Sequence, residues 1–143
     1  MRKMQAINLI KKIIFLLITI SAVLLIFFSV ERKWFSLKQE IVEKIPVNRT
    51  AVLYITEGGV NATTASSYRY YLFAADKSEA VILEEINKGA NYFLLTDNKA
   101  RVHVEQATLF ISVTGRVYQF NNSGAYPLAD HYGHVNIFFS ASP

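Results

Sequence analysis

Apolar residues fill positions 13–30 without a charge, and only Thr19, Ser21, Ala22 and Ser29 interrupt the Ile, Leu, Val and Phe of that run. A helix of about 20 apolar residues crosses a hydrocarbon core. Extension back through Ile7, Leu9 and Ile10 supplies that length if Lys11 and Lys12 snorkel to the interface. The pattern therefore predicts a transmembrane anchor. A cleaved secretory signal would have a shorter apolar core ending in small residues, whereas this run leads into Glu31-Arg32-Lys33-Trp34. Retention is the expectation. Arg2, Lys3, Lys11 and Lys12 precede the run with no acid among them, which places 1–12 in the cytoplasm and the C-terminal part outside.

Over 31–46 the apolar positions Trp34, Leu37, Ile41 and Ile45 recur at helical spacing. This segment reads as an amphipathic stalk that continues the membrane helix. Trp34, Phe35, Arg32, Lys33 and Lys38 suit the headgroup region, and Pro46 ends the stalk because it cannot donate a helical hydrogen bond.

From Val47 onward the period shortens to runs of β-branched and aromatic residues between turn residues. These predict strands over 50–56, 66–74, 80–86, 92–96, 100–105, 108–113, 116–120 and 134–140. A two-residue loop at Thr114-Gly115 would pair Ile111 with Tyr118 and Leu109 with Phe120 in a hairpin. The segment 78–88 has an alternative reading as a short helix, capped by Ser78 and closed by Gly89; Val81-Ile82-Leu83 favours strand. The fold class expected is mainly β, an N-terminal transmembrane helix plus a small antiparallel, sandwich-like domain over 47–143. All eight tyrosines and six of the ten phenylalanines lie in that domain. Alternation puts Tyr68, Tyr70 and Leu72 on one face of a strand and Arg69, Tyr71 and Phe73 on the other.

Charge then removes one class of partner. The chain has 15 Lys+Arg and 11 Asp+Glu, and setting aside the basic residues up to Lys12 leaves the outer part neutral. The pI near 9.3 thus reflects the membrane flank, and nucleic acid is not an expected partner. Cysteine is absent, which excludes disulfides, thiolate metal sites and cysteine nucleophiles.

Histidine chemistry is confined to His103, His131 and His134. Asp130, His131 and His134 could present two imidazoles and a carboxylate, but a metal site needs three or four ligands and a second layer of support. His103, between Val102 and Val104, reads as solvent-facing. No G-x-S-x-G is present, and Glu84 and Glu85, adjacent on a strand, would point to opposite faces. No catalytic residue, metal or cofactor is expected. Asn48, Asn61 and Asn121 head glycosylation sequons, read here as turns of a bacterial chain.

The longest irregular stretch is 57–65. Gly58, Gly59, Ala62, Thr63 and Thr64, followed by Tyr68, Arg69 and Tyr71 and then by Gly115, Val117, Tyr118 and Phe120, resemble a group of small, uncharacterised bacterial membrane-anchored proteins. Val60-Asn61 stands between the glycines and Ala62 as a departure from that group's loop. The resemblance implies an anchored outer domain and no activity.

The function expected is that of a single-pass inner-membrane protein whose periplasmic β-domain binds another protein. An immunity-type inhibitor of a toxin and an accessory subunit of a membrane complex are its concrete versions. Gly58, Gly59, Thr63, Thr64, Arg69 and Tyr71 are the candidate partner-binding residues, since loops on a rigid sheet carry binding and Tyr and Arg are frequent anchors. The alternative is an envelope enzyme or metal-dependent sensor using Asp130, His131 and His134.

Overall fold

Side-chain alternation with period two governs most of the chain beyond residue 38. The computed structural model describes residues 2–34, 39–59 and 66–143, with side chains in the N-terminal helix described at 4, 7, 8 and 10–26. The chain divides into two compact units, 1–36 and 37–143.

The first unit is one helix, α1 (Arg2–Trp34). Its described apolar side chains are exposed on all sides, Phe15 at 74% and Leu25 at 66% among them. Thr19 Oγ1 donates to the Phe15 carbonyl at 2.6 Å, one turn back, and so satisfies its hydroxyl within the helix. Among the described residues no helix is long and apolar enough to cross a membrane. The expected span over 13–30 is not supported among the described residues.

The second unit is mainly β. A five-stranded antiparallel sheet has the order β1 (Gln39–Pro46), β2 (Ala51–Gly58), β3 (Ser67–Ala74), β4 (Leu94–Thr96), β7 (Val117–Phe120). A second sheet holds β5 (Arg101–Glu105), β6 (Thr108–Thr114) and β10 (Asn136–Ser142), with β6 central. The hairpin of β8 (Ala125–Pro127) and β9 (Tyr132–His134) forms a third, two-stranded sheet. Helix α2 (Glu79–Asn87) connects β3 to β4.

Both faces of the larger sheet are buried. Leu53, Ile55, Tyr70, Leu72 and Leu94 pack against Leu109, Ile111 and Val113 of the second sheet, with Tyr126 closing the cluster. On the opposite face Val52, Tyr54, Tyr71 and Phe73 pack against Ile82 and Ile86 of α2. The layers are thus helix, sheet, sheet. Tyr126 fits because its cross-strand partner is Gly133, where a Cβ would overlap the phenol ring.

Three local expectations are corrected. Residues 39–46 of the proposed helical stalk form a strand that pairs with β2 from Gln39↔Gly58 to Pro46↔Val52; residues 35–38 lie outside the described residues. Pairing with the open edge of β2 outweighs the helical spacing of Ile41 and Ile45, which the strand accommodates through a bulge between Ile41 and Glu43. Residues 80–86 are helical, not extended. The Ser78 side chain caps the helix by accepting from the Val81 N–H, Glu79 occupies the first turn, and Gly89 leaves with φ +96°. Burial of Ile82 and Ile86, four apart, selects the helix over the β-branched run.

The hairpin at Thr114-Gly115 does not form. β6 pairs with β5 and β10, and β7 pairs with β4. Gly115 (φ +119°) turns the chain from one sheet to the other. Its N–H donates to the Ser142 carbonyl at 3.0 Å, and the Arg116 N–H donates to Asp97 Oδ1 at 2.8 Å. Phe120 thereby stacks on Phe139 across the sheets, centroids 4.1 Å apart. The β6–β10 pairing is parallel, while the other strand pairings of the described residues are antiparallel, as expected.

Candidate functional site

The second sheet buries one face and leaves the other open. Along β6 the burial alternates, with Leu109, Ile111 and Val113 inward and Phe110, Ser112 and Thr114 outward. Along β5 the outward positions are Arg101, His103 and Glu105; along β10 they include Asn136, Phe138 and Ser140.

Register turns these positions into three cross-strand rows. Arg101, Ser112 and Ser140 form one, Glu105, Thr108 and Asn136 another, and His103, Phe110 and Phe138 run between them. In the middle row the Phe110 and Phe138 rings stack with centroids 5.1 Å apart and planes 7° from parallel. The His103 ring lies 6.2 Å from Phe110. Phe110 is 37% exposed and Phe138 62%. Ser112 and Ser140 share a hydroxyl hydrogen bond at 3.0 Å beside the aromatic pair. His103 Nε2 sits 3.9 Å from Glu105 Oε2 on the other flank.

Such a surface is suited to docking. Two stacked rings on a rigid sheet have already lost much of their rotamer freedom, so covering them costs less ordering entropy than covering mobile chains. Neighbouring Arg101, Glu105 and serine groups supply a polar rim of mixed charge. Period-two alternation in 108–114 could have found Phe110; it was hidden because the expected hairpin assigned β6 a different neighbour. His103 is exposed, in line with its reading from sequence.

The residues singled out from the loop and aromatic strand lie elsewhere. Gly58 ends β2 and Gly59 follows with φ +104°; both are buried. A Cβ on Gly58 would overlap the Gln39 side chain, whose Oε1 accepts from Thr56 Oγ1 at 2.7 Å. Thr63 and Thr64 lie outside the described residues. Tyr71 is 2% exposed and stacked on Phe73 at 6.0 Å, so it is a core residue and not a surface anchor. Burial pushes the Tyr71 phenol up, and the charge of Arg69 partly opposes the shift.

Arg69 shares the helix-side face with Tyr71. Its guanidinium lies over the Tyr92 ring at 5.4 Å, and its buried Nε has no hydrogen-bond partner among the described residues. The turn formed by Asp130 and His131 is exposed, with Asp130 Oδ1 2.5 Å from His131 Nδ1. Among the described residues no three His, Asp or Glu side chains stand close enough to hold a metal ion.

No family model, no curated protein and no solved structure matches this chain.

Proposed function

We propose that this is a membrane-anchored envelope protein whose β-domain binds another protein through the row His103, Phe110 and Phe138. The carrying observation is the exposed, stacked Phe110–Phe138 pair. Contiguous exposed apolar patches, unlike singly scattered apolar residues, mark interaction sites, and aromatic anchors dominate binding energetics.

The anchor reading rests on the uncharged run 13–30, the basic residues before it and the outward apolar side chains of α1. A helix that is apolar all round needs a nonaqueous neighbour. The resemblance to small anchored bacterial proteins agrees with that reading. We place the N-terminus in the cytoplasm and the β-domain outside the inner membrane. An inhibitor of an incoming toxin and an accessory subunit of a membrane complex are the two concrete forms of such a binder. Its neutral outer domain favours recognition by shape and apolar contact.

The test compares the full-length chain with Phe138→Ser and Phe110→Thr in affinity purification from native membranes. A protein retained by the parent chain and lost with both variants, at unchanged melting temperature, supports the reading. Equal recovery with all three would move docking to another face. Release of the chain from membranes by alkaline carbonate would remove the anchor.

A further inference from the structure

Sheet edges carry unpaired N–H and C=O groups, and natural proteins guard them with charge, proline, bulges or brevity. Most edges here are guarded. β1 carries Glu40, Glu43, Lys44 and Pro46 as well as its bulge. β5 carries Arg101 and Glu105. β7 is four residues long and follows Arg116, and β8 and β9 have three residues each.

Within its seven residues β10 has none of these devices, and Pro143 lies just beyond them. Its sequence Asn-Ile-Phe-Phe-Ser-Ala-Ser has no charge and no proline, and it pairs with β6 over seven residues without a register shift. The Ser142 carbonyl accepts from the Gly115 N–H, which fixes the direction of every group along the strand. In a parallel ladder alternate residues bond to the neighbour, so Asn136, Phe138, Ser140 and Ser142 face β6. The N–H and C=O groups of Ile137, Phe139 and Ala141 point away from it, and no hydrogen bond to another described backbone group uses them.

We propose that this edge pairs antiparallel with the same edge of a second copy of the chain. A two-fold axis at Phe139 sets Ile137 opposite Ala141 of the other copy and Phe139 opposite its equivalent. That register uses all the outward groups in about six main-chain hydrogen bonds. An uncharged strand brings no like charges together when paired with itself, which the Arg101 and Glu105 edge of β5 could not match in every register. Pairing joins two three-stranded sheets into one and sets the two Phe138 side chains diagonally across the junction, extending the aromatic row. The contact is small beside the ~1,200 Å² of a stable protein pair, so the dimer is concentration-dependent.

Hydrogen exchange of the full-length chain in detergent, read residue by residue over a dilution series, tests this directly. Amides of Ile137, Phe139 and Ala141 are expected to exchange quickly in dilute protein and to become protected as concentration rises, while those of Phe138 and Ser140 stay protected throughout. Mass by sedimentation should double over the same range, and Ala141→Pro, which removes one outward N–H, should abolish the doubling. Unchanged exchange at Ile137, Phe139 and Ala141 overturns the proposal, as does a dimer that survives Ala141→Pro with those amides still open. The variant leaves Phe110 and Phe138 in place, so loss of the dimer with retained capture of a partner protein separates this proposal from the docking reading.

Discussion

The phenol oxygen of Tyr70 accepts the backbone N–H of Ala100 at 2.6 Å. Tyr70 is in the middle of β3, fully buried, and Ala100 immediately precedes β5 in the second sheet. One hydroxyl therefore ties the two layers together and satisfies a donor that has no water to turn to. Tyr70→Phe should cost about 1–3 kcal/mol, the penalty of a buried N–H left unpaired. Denaturant midpoints of the two proteins check it, with the denaturant slope unchanged.

Alkaline pH should weaken the fold through the same core. Burial raises the Tyr70 phenol from its ordinary value of 10.0, against the lowering effect of the Ala100 N–H. Tyr71 is raised by burial as well. In the unfolded chain these groups lose their protons first, so the native state binds more protons and stability falls as pH rises through and above 10.0. Denaturation at a series of pH values should show this fall, and Tyr70→Phe should make it shallower.

Tyr71 and Arg69 should separate on truncation. Tyr71→Ala empties space between Phe73, Tyr92 and α2 and should cost about 3–5 kcal/mol. Arg69→Ala removes a cation over Tyr92 worth about 0.5–1 kcal/mol, together with a buried nitrogen that lacks a partner among the described residues. Melting temperatures of the pair check the contrast; equal losses would mean that Arg69 has a structural role as large as the core tyrosine.

The β5–β6 turn stores strain. Gln106 and Ala107 both have positive φ, 47° and 59°, the two-residue hairpin geometry that favours Asn-Gly. Left-handed backbone costs an ordinary residue about 1–2 kcal/mol. Replacing the pair by Asn-Gly should raise stability by about 1 kcal/mol after the added freedom of glycine in the unfolded chain is counted. Urea titration would read the gain; a loss would show that the Gln106 side chain contributes more than its backbone strain.

β1 decides where the β-domain starts. A fragment from Leu37 keeps the Gln39–Thr56 hydrogen bond and the edge of β2 covered. It should be soluble and β-rich by circular dichroism. A fragment from Val47 uncovers β2 and should melt lower or aggregate.

How far the sequence disclosed this fold depends on how local the deciding interactions are. Alternation in 67–74, 101–105 and 108–114 was readable because neighbouring residues carry it. The helix at Glu79–Asn87 was readable at its caps, Ser78 and Gly89, but its β-branched interior argued for strand, and only tertiary burial of Ile82 and Ile86 decides the matter. The Thr114-Gly115 turn looked like a hairpin because sequence gives no sign that Gly115 bonds to Ser142. For the site, Arg69 and Tyr71 were placed on one face correctly, yet exposure cannot be read from alternation when α2 covers that face. The Phe110–Phe138 pair was out of reach, since it depends on a parallel register between distant segments.

That parallel register also orders events during folding. β5 and β6 are joined by two residues, whereas Ser112 and Ser140 are 28 positions apart with β7 between them in the chain, so their contact closes the longer loop. Loop closure delays such contacts. Phe110 can stand beside His103 in a half-finished domain, but it acquires Phe138 only when the last strand arrives. A partner that recognises the stacked rings would thus engage finished molecules and pass over incomplete ones.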